Sequence, residues 1–206
     1  MFLKFPKKLL YYTRSYSEMK RGFIKLNFKV RIMTRTASKE IIFIDMDGVL
    51  VDFQSGVDKV APEIKGKYAD DGTGKDQYKN IPGIFSLMDP MPGAIEAIKA
   101  LHASNRFELY ILSCAPWNNP SSWTDKLLWV KKHLDSDKLD GIFYKRIVLS
   151  HHKNLCAQNN AWLIDDRIAH GSEQFGEHFI HFGSERFPDW NAVLKHFNIP
   201  KQAFQA

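Results

Sequence analysis

Cysteine is scarce in this sequence. Cys114 and Cys156 are the only two in 206 residues, and they form no Cys-x-x-Cys pair. A fold resting on disulfides is not indicated, and a reducing, intracellular setting is the simplest reading. Long apolar runs are missing too. The richest, Ile41 to Ile44, is far too short to span a bilayer, which predicts a soluble protein with no membrane contact. Acids are nearly absent from residues 1–39, which hold eleven Lys and Arg against Glu18 alone. That leaves 18 basic and 22 acidic residues for 40–206, so the net charge of +6 belongs to the leader and the body is mildly acidic. Nucleic-acid binding by the body therefore loses its main electrostatic argument. Three readings stand for the leader: a start codon placed too far upstream, with Met19 or Met33 the true beginning, a mitochondrial transit peptide, or a phosphate-binding arm. The expected location is cytoplasmic, or mitochondrial if the leader is a transit peptide.

From residue 40 onward, short apolar runs alternate with helical periodicity, and no internal repeat or low-complexity segment interrupts them. Ile41–Ile44, Phe107–Leu112, Ile147–Leu149, Ala161–Ile164 and Phe179–Phe182 read as strands. Between them, Pro92 is expected in the first turn of a helix carrying Ile95, Ile98 and Leu101. A Ser122/Asp125 capping box is expected ahead of a face made by Trp123, Leu127, Val130 and Leu134. Pro188 is expected to open a closing helix with Trp190, Val193, Leu194 and Phe197 on one stripe. Apolar strands alternating with helices indicate an α/β fold, a parallel sheet covered on both faces. The section at about 54–89 breaks this rhythm and reads as a small cap inserted after the first strand. The domain expectation is therefore a leader at 1–39 and one domain at 40–206.

Ligands of an open parallel sheet bind beyond the carboxyl ends of its strands. The residues found there are Asp45 and Asp47, Ser113, Lys153, and Asp165 with Asp166. Four acids at one sheet edge repel one another and resist desolvation, and a hard dication resolves that conflict. Magnesium takes about six oxygen ligands, usually one or two carboxylates with water and substrate phosphate. Lys153 and the Ser113 hydroxyl suit phosphate oxygens, and Gly48 permits close backbone approach to the anion. Asp45, ending its strand, is placed to attack phosphorus. Asp47, two residues on, is placed to protonate the leaving oxygen and then to deprotonate water.

The run Asp45-Met46-Asp47-Gly48-Val49-Leu50, followed in order by Ser113, Lys153 and Asp165-Asp166, resembles the four motifs of haloacid-dehalogenase-like phosphatases. Asp45 through Asp52-Phe53, Phe85 through Met91-Pro92-Gly93-Ala94, Asp125-Lys126 with Trp129-Val130, and Leu163-Ile164-Asp165-Asp166 resemble more closely the 5′(3′)-deoxyribonucleotidases. The resemblance implies a Rossmannoid sheet ordered 5-4-1-2-3 and a magnesium-dependent phosphomonoesterase acting on nucleoside, chiefly deoxyribonucleoside, monophosphates. It implies metal ligation by Asp45, the Asp47 backbone carbonyl and Asp166, with Asp165 either a further ligand or a partner of Lys153. Lys126 and Lys153 would lie near phosphate, and Phe53, Tyr78 and Phe85 are the candidates for contact with base or sugar. Relatives are often dimers, which leaves a homodimer open. The chain departs from the animal members at Cys114, where they carry a hydroxyl, and at His151-His152, where they carry Arg. Two alternatives remain: a phosphatase of the same fold for another small phosphomonoester, and a non-catalytic nucleotide-binding protein.

Overall fold

The computed structural model describes residues 39–70, 72–134 and 139–200. The leader expectation lies outside the described residues, apart from Lys39. The chain enters through β1 (Glu40–Ile44), whose Ile42 and Ile44 point to one face of the sheet and Phe43 to the other. A tight loop follows, in which the backbone N–H groups of Val49, Leu50 and Val51 all donate to the Met46 carbonyl. β2 (Val51–Asp52) then leads into α1 (Phe53–Asp58), capped by the Asp52 carboxylate, which accepts from the backbone of Gln54 and Ser55. α2 (Pro62–Gly66) and two 3-10 turns, Tyr78–Asn80 and Ile84–Ser86, complete the excursion. β3 (Asp89–Pro90) returns antiparallel to β2, so residues 53–88 leave and rejoin the body through a two-stranded ribbon.

The remaining elements are α3 (Ala94–Ala103), β4 (Phe107–Ser113), α4 (Ser121–His133), β5 (Ile147–Leu149), β6 (Ala161–Asp165), β7 (Phe179–His181) and α5 (Trp190–His196). The main sheet runs β5-β4-β1-β6-β7 and every pairing in it is parallel. Counted along its five strands this is 5-4-1-2-3, the expected order, with apolar clusters on both faces. Registers pair Ile44 with Ile111 on one side and with Ile164 on the other. Asp45, Ser113 and Asp165 are therefore brought to one edge.

Three local expectations are corrected. Gly93, at φ 76, takes the N-cap of α3, and its left-handed backbone leaves Pro92 before the helix instead of in its first turn. Asp189 caps α5 by accepting from the Ala192 N–H, so Pro188 likewise precedes that helix. The Ser122/Asp125 capping box does not form. Ser122 donates to the Asn119 carbonyl at 2.6 Å, while Asp125 accepts from the Ser121 hydroxyl at 3.0 Å. The expected apolar face of α4 holds only in its second half: Val130 and Leu134 are buried, but Trp123 and Leu127 are each 41% exposed, while Ser122, Asp125 and Lys126 are buried with Trp129. The reason is polar, and it lies in the site.

Candidate active site

Lys126 turns α4 inward. Its ammonium is 1% exposed as a residue and donates to both Asp47 oxygens, at 2.9 and 2.8 Å, and to the Ser113 hydroxyl at 3.1 Å. The same ammonium sits 4.7 Å over the Phe85 ring, a cation–π contact. A helix-surface lysine is ordinarily solvated. Here four contacts offset its desolvation.

Lys153 occupies the opposite side. It opens a 3-10 turn, Lys153–Cys156, and its backbone N–H donates to the His170 carbonyl at 2.8 Å. Its ammonium lies 2.5 Å from Asp165 Oδ2 and 3.2 Å from Asp45 Oδ2, all three side chains being buried. Asp165 Oδ1 accepts from the Arg167 N–H at 3.1 Å. Both oxygens of Asp165 are thus engaged by the chain itself. Asp166 is different. Its Oδ1 has only the Arg167 guanidinium at 3.4 Å, without hydrogen-bond geometry.

Carboxylate oxygens of Asp45, Asp165 and Asp166 lie within 4.8 Å of one another. Among the described residues, Asp45 Oδ1 and Asp166 Oδ1 are the buried side-chain oxygens that have no hydrogen-bond partner. Two such orphans within one carboxylate cluster fit a divalent cation held by oxygen donors, because bare carboxylates this close repel. Gly48 makes the arrangement fit: at φ +75, a Cβ there would meet Asp166 Oδ2 at 2.5 Å.

The protonation states diverge in the same small volume. Burial drives the Asp45 carboxyl upward, but the charges of Lys153 and Lys126, with the Ser113 hydroxyl, outweigh it and hold Asp45 below its ordinary value. Asp47 is raised by burial and by the charge of Asp45, against the pull of Lys126. Asp165 is raised by burial and by Asp45. Asp166 is raised to about 6, chiefly by burial and then by its acidic neighbours, with Arg167 opposing. Lys153 is held above its usual value because Asp45 and Asp165 overcome the effect of burial. Two neighbouring carboxylates are thus shifted in opposite directions, Asp45 downward and Asp47 upward.

Above this floor opens a cavity of about 570 Å³, reached by Asp47 and Asp166 from below. Phe53 and Phe85 line it, but Tyr78 does not and packs at the margin of the apolar core. Cys114 also lines it, its thiol donating to the Ser150 carbonyl at 3.1 Å. The sequence reading missed Trp117, Arg167 and His170 on the wall. Arg167 directly follows the acid pair. Trp117 sits in Pro116-Trp117-Asn118-Asn119-Pro120, where a large apolar residue between two prolines was a usable signal.

The family model for 5′ nucleotidase, deoxy (pyrimidine), cytosolic type C protein matches residues 67–191. That span contains Ser113, Lys126, Lys153 and both Asp165 and Asp166, and begins downstream of Asp45. A candidate 5′(3′)-deoxyribonucleotidase of Vibrio phage KVP40 is 45% identical over 172 residues, 83% of this chain and 92% of that protein. The mouse mitochondrial 5′(3′)-deoxyribonucleotidase is 28% identical over 183 residues, 78% of this chain and 75% of its own. The human cytosolic type is 23% identical over 174 residues, 74% and 78% respectively.

Proposed function

We propose a function from one premise: the chain belongs to the 5′(3′)-deoxyribonucleotidase family, and is a phosphoric monoester hydrolase of the haloacid-dehalogenase-like kind. The reading is a phosphatase for nucleoside monophosphates, deoxyribonucleotides first, that forms an aspartyl phosphate on Asp45. One observation carries it. Carboxylates of Asp45, Asp165 and Asp166 reach within 4.8 Å of one another, Asp45 and Asp166 each keep a buried oxygen without a hydrogen-bond partner, and the Lys153 ammonium lies 3.2 Å from the other Asp45 oxygen.

Asp45 Oδ attacks phosphorus, forming the new P–O bond as the ester bond to the nucleoside oxygen breaks. Asp47 gives its proton to that departing oxygen, which its raised pKa suits. Water then attacks the aspartyl phosphate while Asp47 takes back a proton, releasing phosphate and restoring Asp45. Lys126 and Ser113, which already bond each other beside Asp47, are placed to exchange that contact for phosphate oxygens. Lys153 holds Asp45 toward its ionised form and is itself bonded by Asp165, which supports reading Asp165 as a positioning residue, with ligation read for Asp45, Asp166 and the Asp47 carbonyl. A bound magnesium ion supplies charge against the phosphate oxygens and lets the carboxylates share one site. The excursion at 53–88 is read as the cap, with Phe53 and Phe85 as its contribution to the cavity.

Among the described residues, no helix is long and apolar enough to cross a membrane. Relatives carry both cytosolic and mitochondrial names, so the cytoplasmic reading stands with the mitochondrial one beside it.

Phosphate release with magnesium from 5′- and 3′-monophosphates, ribo and deoxy, beside common sugar phosphates, tests this. Deoxyribonucleotides are expected to lead, and Asp45→Asn to cost about 10⁴-fold or more in kcat with the fold retained. Preference for sugar phosphates overturns the substrate. Release from no phosphoester, with Asp45→Asn binding nucleotide as wild type does, overturns the enzyme.

A further inference from the structure

The cap aromatics leave little ring surface for a base. Phe85 is 2% exposed with Lys126 over its ring, and Phe53, half-buried, packs against it with centroids 6.0 Å apart. Trp117 is the reverse case. It lines the same cavity as Asp47 and Asp166, yet its residue is 82% exposed.

That exposure is not the looseness of a free loop. The Asn119 N–H donates to the Pro116 carbonyl at 3.1 Å, closing a turn with Trp117 and Asn118 at its centre. The Asn119 side chain, buried, donates to the carbonyls of Lys79 at 2.9 Å and Ile81 at 3.0 Å. Ser121 donates to the Asn119 side-chain oxygen and accepts from the Gly83 N–H, both at 2.8 Å. The turn is therefore pinned to residues 79–83. On its other side the indole meets His151 edge-on at 6.1 Å, and His151 meets His170 in the same manner at 6.4 Å. The turn that carries the indole is pinned, and the ring itself is left largely uncovered at the cavity that also reaches Asp47 and Asp166. Rigid aromatics of this kind give stacking area at small entropic cost.

We propose that Trp117 is the platform on which the base of the substrate stacks, so that selection for a nucleoside is made from the β4–α4 turn. This rests on the nucleotidase reading and assigns its specificity to a residue outside the family motifs quoted above. His151 meets the indole from the side.

The test compares a deoxynucleoside 5′-monophosphate with 2-deoxyribose 5-phosphate, which has the same sugar and phosphate and no base. Trp117→Ala is expected to lower the ratio of kcat/KM for the two, nucleotide over sugar phosphate, about tenfold through the nucleotide KM, with Trp117→Phe recovering most of it. In Asp45→Asn, nucleotide binding should quench indole fluorescence, and adding Trp117→Phe should remove that quench. An unchanged ratio in Trp117→Ala, with wild type still preferring the nucleotide, overturns the Trp117 assignment alone. Wild type that treats both substrates alike overturns the nucleotidase reading itself. An unchanged ratio together with a smaller oligomer in Trp117→Ala would reassign the indole to a subunit contact.

Discussion

The floor and the wall of the cavity are built on opposite terms. The floor, at the ends of β1, β4 and β6 with Lys126 and Lys153, is buried and ionic, and each ammonium there meets at least two partners. The wall around the Trp117 turn is held by backbone carbonyls and amide side chains, and there Trp117 shows its ring to solvent while Phe85 does not. Charge in a low-dielectric pocket gains most from fixed geometry, so the region that moves the phosphoryl group is over-determined. Selectivity needs only shape and a few contacts. That region can vary.

The sharpest way to break this contrast is Lys153→Met. Three buried groups share one ion-pair set, and losing the cation strands Asp45 and Asp165. A loss of ~3–5 kcal/mol is expected by urea unfolding in EDTA. A loss below ~1 kcal/mol would mean that the floor is no more constrained than the surface.

Asp166 gives a smaller, pH-dependent effect. Its folded pKa of about 6 lies above its ordinary 3.8. Between those values the folded protein holds a proton that the unfolded chain has released, so this group's contribution to stability falls as pH rises from 4 to 6. In metal-free protein the fall is about 2 kcal/mol after allowance for partial solvent screening. Asp166→Asn should remove that increment, and magnesium at pH 7 should restore stability to wild type but much less to the variant. Equal pH slopes in the two proteins would remove Asp166 from the account.

The wall should yield least. Asn119→Ala deletes three hydrogen bonds of a buried amide, two donated to the Lys79 and Ile81 carbonyls and one accepted from Ser121, and leaves the Ile81 carbonyl with the Ile84 N–H. About 1–2 kcal/mol is expected, with nucleotide KM rising severalfold and kcat nearly constant. A collapse of kcat instead would show that the wall takes part in the chemistry.

The strand-end residues were legible because a parallel sheet fixes where its chemistry can lie. Once Ile41–Ile44 and Ala161–Ile164 read as strands, Asp45 and Asp165-Asp166 had to share an edge, and the registers place them there. The inward turn of Lys126 was not legible in the residue pattern, although the family resemblance places this lysine near phosphate. Periodicity assigned Trp123, Leu127, Val130 and Leu134 to the core, but only Val130 and Leu134 are buried, and the ion pair with Asp47 outweighs the exposure of Trp123 and Leu127. No periodic signal in α4 reports a partner 79 residues away. The starts of α3 and α5 were missed by two residues for a simpler reason, since Gly93 and Asp189 cap more effectively than the prolines before them.

Local sequence alone determined the parallel α/β layering and the order of the acids along the chain, because strand identity and sheet edge follow from runs of a few residues. Tertiary structure decided which lysine faces inward, which carboxylate oxygens stay unpaired and which aromatic keeps an open face. Those outcomes depend on how distant groups divide a limited set of charges and hydrogen bonds, and that division exists only once the chain has folded.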